Sequence, residues 1–369
     1  MPADVYFTDM RTSSGNNLLD KMERLCALAG MEEMIELQDL VAIKLHFGEP
    51  GNLGYIRPQF VRRIVDRIKA QGGKPYLTDA NTLYVGSRAN AVDHLQTAIE
   101  NGFDYAVVNA PLVIADGLTG KDYLTVTVPG RHCHEVKIGA GIFHAQAMVV
   151  MSHFKGHELT GFGGAIKNLG MGSGSRSGKQ TMHSDVRPKV SVDLCTACES
   201  CIAWCPTHAI SLSEETGKAE IDLETCIGCG ECTVTCPVQA IKIRWKTTPQ
   251  SIQEKIVEYA LGVVKNKPGK MLYINFLTNI SPDCDCFGWN DTPLVPDIGI
   301  LVSTDPVAID QASVDLVLRQ PRLAGTAAAE RPQEPDHFLA VHPGMDWRHQ
   351  LIFGEEIGLG SRSYSLIRV

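Results

Sequence analysis

The sequence predicts an α/β fold with a mostly parallel, doubly wound sheet, interrupted by a small α+β domain. On both sides of the interruption, short apolar segments alternate with amphipathic helical segments, a pattern typical of parallel strands joined by helices. Between residues 189 and 246 the pattern changes to two similar cysteine-rich halves with a period of 31 residues, from Cys195 to Cys226. We therefore predict an α/β domain in two parts, residues 1–188 and 247–369, with residues 189–246 inserted between them.

The first part of the α/β domain is predicted from apolar periodicity and from residues that begin or end helices. Pro58 stands where a helix begins and Gly72-Gly73 where it ends, as helix termini favour. The run at 147–153 is apolar almost throughout, as expected for a strand buried on both faces. The complete prediction for this part is strands at 41–47, 75–79, 105–108 and 147–153, and helices at 58–70 and about 88–101.

The stretch from Gly170 to Arg187 is rich in Gly, Ser and charge, and we predict a loop or linker there. After the insertion, Asp305 and Pro306 provide an N-cap and a first position for a helix that runs to about Gln320. The other elements predicted for this part are a helix at 251–264 and strands at 271–276 and 299–302. The residues that follow the last helix show no clear pattern.

The composition excludes some classes of protein. The formal net charge of −8 does not provide the basic face that a nucleic-acid-binding protein needs. No segment approaches the roughly 18 consecutive apolar residues of a membrane helix, and the N-terminus lacks the features of a signal peptide. We therefore expect a cytoplasmic protein that binds neither nucleic acid nor membrane. In that compartment the 12 cysteines indicate metal binding rather than a disulfide framework.

Eight of the cysteines form two runs with the same spacing, C-x2-C-x2-C-x3-C-P, which is typical of [4Fe–4S] ligation. In the two-cluster arrangement, the fourth cysteine of each run ligates the cluster of the other run. The predicted ligand sets are Cys195, Cys198, Cys201 and Cys236 for one cluster, and Cys226, Cys229, Cys232 and Cys205 for the other. Structural zinc and an empty module are the alternatives, but zinc sites usually pair two C-x2-C units across a longer gap.

This segment resembles the bacterial-type two-cluster ferredoxin module over roughly residues 189–246. The resemblance implies a small ferredoxin-like domain with two [4Fe–4S] clusters that transfer electrons one at a time. It also implies a redox partner, either a partner protein or a small electron carrier.

Polar residues follow the predicted strands, at the edge where open α/β sheets bind ligands. Those with acid–base or nucleophilic chemistry are candidate catalytic residues, namely Lys44, His46, Glu49, His153, His157 and Lys167. Those suited to holding a cofactor are Asp79, Asn81, Gly161, Gly163, Gly164 and Asn168.

Two features of residues 153–170 give these candidates their weight. The glycines allow a backbone to approach a ligand closely or to form an anion-binding nest. Lys167 lies in an apolar context, and a partly desolvated lysine loses its proton more easily and can act as a nucleophile or base. The alternatives are that the histidines are structural, hydrogen-bonded residues and that Lys167 extends to water.

Cys284 and Cys286 are separated by one residue, so their side chains face the same way if the chain is extended. Three roles are open for them: metal ligands, a redox-active thiol pair, or buried cysteines without a reaction. We favour ligands for a third metal, shared with one or more of the histidines. A metal or organic cofactor of unknown identity is therefore expected near Lys167.

Three stretches resemble the domain-of-unknown-function family 362: Lys44-x-His46-x-Gly48-Glu49, residues 153–172, and Pro282-Asp283-Cys284-Asp285-Cys286. The resemblance covers nearly the whole chain, and members of that family often carry a ferredoxin insertion. It implies no settled activity. A weaker likeness connects His157, the glycines 161 to 164 and Lys167 with nickel-pincer lactate racemases, in which the lysine anchors the cofactor. Because Phe162 stands in place of their tyrosine, that cofactor is not transferred to this chain.

These observations lead to three hypotheses of function. The first is an oxidoreductase in which the clusters relay electrons to or from a substrate or cofactor at the strand ends. The second is a non-catalytic electron carrier or redox-sensing binding protein. The third, ranked lowest, is a maturation factor that holds metals or clusters for other proteins.

Overall fold

The computed structural model describes residues 2–83, 86–183, 188–205, 207–226, 230–242 and 248–369. Its strands are β1 (Ala3–Asp9), β2 (Leu40–Lys44), β3 (Lys74–Asp79), β4 (Leu112–Ile114), β5 (Tyr123–Thr127), β6 (Glu135–Gly139), β7 (Ala147–His153), β8 (Lys155–His157), β9 (Gly161–Gly163), β10 (Lys189–Val190), β11 (Ile210–Leu212), β12 (Ala219–Ile221), β13 (Ile241–Lys242), β14 (Met271–Leu277), β15 (Gly299–Ser303) and β16 (Tyr364–Arg368).

The helices of the described residues alternate with these strands over most of the chain. They are α1 (Leu18–Leu28), α2 (Met31–Met34), α3 (Pro58–Ala70), α4 (Ala91–Glu100), α5 (Tyr105–Val108), α6 (Ala140–Phe143), α7 (Ala165–Ser173), α8 (Arg176–His183), α9 (Ser200–Ala203), α10 (Glu231–Thr235), α11 (Pro249–Lys265), α12 (Pro306–Leu318), α13 (His337–Val341) and α14 (Arg348–Glu356).

An eight-stranded sheet forms the centre of the α/β domain, in the order β16-β1-β15-β14-β7-β2-β3-β4. Within this sheet β15 runs antiparallel to both of its neighbours, and the other neighbouring pairs are parallel. Helices cover both faces of this sheet. Alternate residues of β7 therefore belong to two different apolar cores. The predicted fold class, an α/β fold with a mostly parallel doubly wound sheet, is confirmed.

Several predicted elements match the structure closely. The strand at 147–153 is β7, and the helix at 58–70 is α3. Asp305 caps α12 as predicted, because its side chain accepts hydrogen bonds from the Val307 and Ala308 amides.

Other elements differ from the prediction for local reasons. Residues 105–108 form a helix and not a strand, because the Asp104 side chain accepts hydrogen bonds from the next helical amides and caps the turn. The stretch from Gly170 to Arg187 is not simply a linker, since α8 lies within it. At the C-terminus, β16 extends the central sheet by pairing in parallel with β1.

The inserted segment has its own small sheets, which connect its two halves. Strand β10 of the first half pairs with β13 of the second, and β12 of the second half pairs with β11 of the first. Its predicted C-terminal end, residues 243–246, lies outside the described residues. In the part of the chain that the structure describes, no helix combines the length and apolarity needed to cross a bilayer.

Candidate functional site

A cavity of about 370 Å³ lies at the carboxyl ends of β2, β3 and β7, where open α/β sheets bind ligands. It is closed by α7, by α8 and by the loop that carries the C-x-C pair. Most residues predicted for the site line this cavity, namely Lys44, His46, Asp79, His153, His157, Gly163, Gly164, Lys167, Asn168, Cys284 and Cys286. Glu49, Asn81 and Gly161 are not among its lining residues.

A buried ion pair forms one wall of the cavity. The Lys44 Nζ lies 2.8 Å from Asp79 Oδ1 and donates to Asn168 Oδ1 at 2.7 Å. Burial lowers the pKa of Lys44. Burial opposes ionisation of Asp79, but the charge of Lys44 keeps the pKa of that carboxyl below its ordinary value. Because the ammonium group is held by three protein oxygens, those of Asp79, Asn168 and the Leu45 backbone, Lys44 and Asp79 shape the site rather than offer a free acid or base.

Two predicted site residues act from outside the cavity. Glu49 holds the Arg88 guanidinium, with Oε1 at 2.7 Å from Nε, and Arg88 in turn lines the cavity beside Asp79. Asn81 donates through its side-chain Nδ2 to Asp116 Oδ1 at 2.9 Å, so it braces the loop after β3. Neither side chain is placed to contact a ligand in the cavity.

His153 anchors the loop that carries the cysteine pair. Its Nδ1 lies 2.9 Å from Asp285 Oδ1, and its Nε2 lies 3.0 Å from the backbone oxygens of Thr278 and Asn279. The Lys155 ammonium lies 3.0 Å from the other Asp285 oxygen. Burial opposes the charge of Asp285, but His153 and Lys155 lower the pKa of this carboxyl. Since both ring nitrogens of His153 face protein acceptors, His153 is a positioning residue.

The two thiols at the centre of the cavity wall contact each other. A turn closed by the Phe287 amide and the Cys284 carbonyl, at 3.2 Å, brings the Cys284 and Cys286 Sγ atoms to 2.7 Å. The Lys167 Nζ donates to Cys284 Sγ at 3.3 Å, and His46 Nε2 lies 3.7 Å from Cys286 Sγ. The pair therefore faces the same way because of a turn, and not because of an extended chain.

The electrostatics of Lys167 are the reverse of the prediction. Burial works against its charge, but Cys284, Cys286 and Glu158 raise the pKa of Lys167 above its ordinary value. The expectation that an apolar context would make Lys167 lose its proton is therefore wrong. Two sulfur atoms next to the ammonium group outweigh its desolvation.

Two further histidines border the cavity in their neutral form. Burial, reinforced by the charge of Lys167, places the pKa of His157 well below its ordinary value. Its Nδ1 accepts a hydrogen bond from the Leu159 amide at 3.1 Å, which leaves the hydrogen on Nε2. Burial also lowers the pKa of His183, to about 3. Both rings can thus hydrogen-bond a ligand without carrying charge.

The helix N-terminus that follows the predicted cofactor-binding glycines holds an internal carboxylate. The α7 N-terminal amides of Ala165 and Ile166 donate to the Asp310 carboxylate at 2.7 and 2.9 Å, so an internal side chain occupies the place of an anion. Gly164 makes room for this carboxylate, because a Cβ there would lie 2.3 Å from Asp310 Oδ1. Gly161 has a φ of +75° and packs against Trp347.

Helix α8 contributes residues that the sequence analysis did not select. Lys179 lines the cavity, and its Nζ donates to the Gly174 carbonyl at 2.7 Å. Burial lowers the pKa of Lys179 to about 8. Of the two cavity lysines on α7 and α8, Lys179 is therefore the one whose pKa is lowered, the shift that the sequence suggested for Lys167.

The other residues missed by sequence reasoning are Arg88, Lys155, His183 and Asp285. Lys155 and Asp285 lie inside the stretches that carried the family resemblance, so their charge was a usable signal. The signal for Lys179 and His183 was weaker, since both lie in a Gly- and Ser-rich stretch that was read as a linker.

Seven of the eight predicted cluster cysteines lie in the described residues, and Cys229 lies outside them. Two small cavities separate these seven into two groups. One cavity is lined by Cys195, Cys198, Cys201 and Cys236, and the other by Cys205, Cys226 and Cys232. Each cavity thus combines cysteines of one run with the fourth cysteine of the other run, which is the donor set that crossed ligation requires.

The backbone around these cysteines repeats between the two halves. The Ala209 amide donates to Cys205 Sγ and the Ala240 amide to Cys236 Sγ, both at 3.2 Å. The residue before each alanine, His208 or Gln239, has a positive φ of 53° or 52°. Amide donors aimed at sulfur suit thiolate ligands, because they stabilise negative charge on the sulfur.

In the described residues, no three His, Cys, Asp or Glu side chains converge closely enough to hold a single metal ion. A four-iron cluster needs no such convergence, because its four ligands bind four different iron atoms. The third metal site that the sequence suggests at Cys284 and Cys286, with one or more of the histidines, stays a prediction.

One helix separates the insertion from the large cavity. Gly230, which precedes α10, packs on Gln180 of α8, and Thr233 donates to the Gln180 side chain at 3.4 Å. On the same insertion helix, Glu231 pairs with Lys137 of β6 at 2.8 Å. Helix α8 therefore has the Cys232 helix on one side and contributes Lys179 and His183 to the cavity on the other.

The family described as "Domain of unknown function (DUF362)" matches residues 41–315. No curated protein has a sequence that matches this chain. Among solved structures, the lactate racemase apoprotein from Thermoanaerobacterium thermosaccharolyticum aligns with 14% identity and a TM-score of 0.38, over 75% of this chain and 51% of that one. A Thermotoga maritima protein aligns with 9% identity and a TM-score of 0.37, over 72% of this chain and 52% of that one. The chain thus spans about half the length of each of these two structures.

Proposed function

Since this chain belongs to the DUF362 family, which is defined without an activity, we propose from its own site that it is an iron–sulfur oxidoreductase with two [4Fe–4S] clusters. The observation that carries the proposal is the position of α8, which contacts the cysteine-bearing insertion on one side and lines the polar cavity on the other. In the described part of the chain this helix contacts both sites, and we expect an electron path between them to cross it.

The insertion supplies the ligands. Cys195, Cys198, Cys201 and Cys236 would hold one cluster, and Cys226, Cys229, Cys232 and Cys205 the other. When bound, such clusters accept and donate one electron each. The amides of Ala209 and Ala240 would stabilise the ligating sulfur of Cys205 and Cys236.

The cavity residues bind and orient a small substrate. A volume of about 370 Å³ is in the range of small-molecule sites. The His157 Nε2–H offers a neutral hydrogen-bond donor, and Lys179 Nζ can hold or release a proton near neutral pH because burial lowers its pKa to about 8. Lys44, Asp79 and Arg88 form the rigid wall against which the substrate is positioned.

The test is an anaerobic assay in which reduced methyl viologen is the one-electron donor and a small-molecule extract provides candidate acceptors. We expect the wild-type protein to oxidise the viologen. His157→Gln and Lys179→Met should lower this rate about 100-fold while the visible spectrum of the clusters stays unchanged. Arg62→Ala on the exposed face of α3 serves as the control that keeps the full rate. Full turnover in both cavity variants would show that the site is assigned wrongly.

A non-catalytic electron carrier is the second candidate, and one observation favours it. Cys198 is exposed, so the cluster that it would ligate lies at the surface, where a partner can exchange electrons. A carrier has no need for the buried ion pairs of the cavity, however. Clusters that are reduced normally, without any turnover by the wild-type protein, would favour the carrier.

A further inference from the structure

The cysteine pair has the geometry of a reactive dithiol. The Sγ atoms of Cys284 and Cys286 lie 2.7 Å apart in a turn, and both residues line the large cavity. Asp285 between them is fixed by His153 and Lys155, so the turn is held from both sides of its middle residue. The two sulfur atoms are thus already in place to close a disulfide, and the short ring that it would form is strained, which makes the bond easier to reduce.

The surroundings of the pair favour a thiolate on one sulfur. Cys286 Sγ lies beside Cys284 and 3.7 Å from His46 Nε2. His46 Nδ1 accepts a hydrogen bond from the Gly48 amide at 3.0 Å, which directs the Nε2 hydrogen toward the sulfur. Cys284, the His46 ring and the Lys167 ammonium group beside Cys284 thus surround the pair with groups that stabilise a thiolate.

A buried cysteine elsewhere in the chain shows the contrast. Cys26 of α1 is buried in an apolar core, and burial raises its pKa to about 12. A thiol of that kind is inert, because the thiolate is the reactive form. Burial alone therefore does not favour a thiolate at Cys286, whereas the neighbouring ammonium group and hydrogen-bond donors do.

We propose that Cys284 and Cys286 form a two-electron dithiol/disulfide couple that reduces a small disulfide substrate in the cavity. A thiolate beside a second thiol needs no other co-reactant for exchange with a disulfide. The exchange depends only on the cavity. The regeneration of the dithiol by electrons from the insertion rests on the proposed function.

The reaction balances in two exchange steps. The Cys286 thiolate attacks one sulfur of the substrate disulfide, a mixed disulfide forms, and the first substrate thiolate leaves. Cys284 then gives its proton to the substrate thiolate that has already left, attacks Cys286 Sγ, and releases the second substrate thiolate as the Cys284–Cys286 disulfide closes. Regeneration takes two electrons, delivered singly from an external one-electron carrier, and one proton, and it yields the Cys284 thiol and the Cys286 thiolate.

Lys167 is placed to stabilise the negative charge on sulfur both when the disulfide forms and when it is reduced. Its Nζ donates to Cys284 Sγ at 3.3 Å, so the ammonium group lies beside the pair while a thiolate forms. It stabilises whichever sulfur carries the negative charge. The charge of Lys167 is therefore useful here, whereas the deprotonated lysine expected from the sequence would not be.

The exchange is tested on the anaerobic holoprotein with 2-hydroxyethyl disulfide as the probe. After reduction with dithiothreitol and its removal, one equivalent of the probe should release two thiols per chain. Iodoacetamide labelling and peptide mass spectrometry should then show loss of both labels from residues 284 and 286. Cys284→Ser should trap the mixed disulfide on Cys286, Cys286→Ser should release no thiol, and Cys26→Ala should behave as the wild type. Unchanged labelling of residues 284 and 286 would overturn the proposal.

A second measurement isolates the role of Lys167 from its role in folding. Lys167→Met should slow the labelling of Cys286 at pH 7 about tenfold, and Lys167→Arg should restore the rate. Equal labelling rates in all three proteins would contradict the proposal.

The electron route is tested separately by adding reduced methyl viologen to the oxidised protein. Recovery of both labels supports the route through the insertion. If the probe is reduced but the viologen does not regenerate the dithiol, the dithiol/disulfide couple is supported and the proposed electron relay is contradicted. If the probe is not reduced while the clusters are reduced normally, the dithiol/disulfide couple is contradicted and the electron relay is not.

Discussion

The α/β domain and the inserted segment are stabilised in different ways. The sheet of the α/β domain is covered on both faces by extensive apolar cores, and β7 and β14 are buried along their whole length. The inserted segment has a core of only five buried residues in its described part, and two of them are Cys201 and Cys232. The first region can fold by burying apolar surface, whereas we expect the second to depend on the clusters proposed for its cysteines.

The strands show the same difference. Those at the centre of the α/β sheet are five to seven residues long, whereas β10 to β13 of the insertion have two or three residues each. Isolated pairs of such short strands are not stable in water. If the proposed clusters are bound, cysteine spacing specifies here a small domain that its apolar residues could not stabilise.

The largest expected effect is produced by removing iron. Chelation under anaerobic conditions should unfold the insertion, because ligation would supply most of its folding free energy. In hydrogen-exchange mass spectrometry, the amides of β11 and β12 should lose protection by a factor of about 100 or more, while those of β7 and β14 keep theirs. If β11 and β12 kept their protection after complete iron removal, the claim that ligation stabilises the insertion would be contradicted.

A substitution in the apolar core should affect only the α/β domain. Ile274 of β14 is fully buried, and Ile274→Ala should lower the free energy of unfolding of that domain by about 2–5 kcal/mol. Denaturant titrations followed by circular dichroism should give the same loss with and without iron. Ile210→Ala in the insertion is the matched control, and it should leave the unfolding of the α/β domain unchanged. A loss that appeared only in the iron-free protein would show that the two regions fold together.

The buried carboxyl of Asp310 should give the α/β domain its own pH dependence. Burial raises the pKa of Asp310 to about 6, whereas an aspartate in an unfolded chain titrates near about 3.9. Between these two pH values the folded state therefore binds more protons than the unfolded state. Protonated Asp310 contributes fully to the free energy of unfolding below about pH 4, and this contribution is lost as the pH rises through about 6.

The magnitude of this effect is measured as the difference between the wild type and Asp310→Asn. As the pH rises from 4 to 7, the free energy of unfolding of the wild type should fall by up to about 3 kcal/mol relative to that of the variant. Equilibrium unfolding at a series of pH values gives the difference directly. Parallel pH profiles for the two proteins would refute the assignment.

The smallest effect is expected at the surface. Arg62 pairs with Asp66 of the same helix at 2.7 Å, and both side chains are over 40% exposed. Arg62→Ala should therefore change the free energy of unfolding by no more than about 0.5 kcal/mol, at low and high salt alike. A larger loss in the same titrations would mean that α3 is stabilised by its charges and not by its apolar face.

The α/β fold could be predicted where the local signals agreed with the tertiary structure. Pro58, the apolar run at 147–153 and the pair Asp305-Pro306 each specify an element by themselves. At Tyr105–Val108, two β-branched residues indicated a strand, but the Asp104 cap favoured a helical turn. The contribution of β16 could not be predicted, because its partner β1 lies at the other end of the chain.

The candidate site was predictable as a location but not as chemistry. The strand ends indicated Lys44, His153 and Lys167, because the edge of a parallel sheet is where ligands bind. Their roles depend on neighbours that are distant in the sequence. The acceptors around His153 and the sulfur atoms beside Lys167 come from residues 278–286, and those contacts decide which groups are held and which can react.

Iron analysis combined with electron paramagnetic resonance on the anaerobically purified protein tests the central claim most directly. We predict about eight iron atoms per chain and, after reduction, the signal of two interacting [4Fe–4S] clusters. A colourless protein that contains no iron and gives no signal after anaerobic reconstitution would contradict the account.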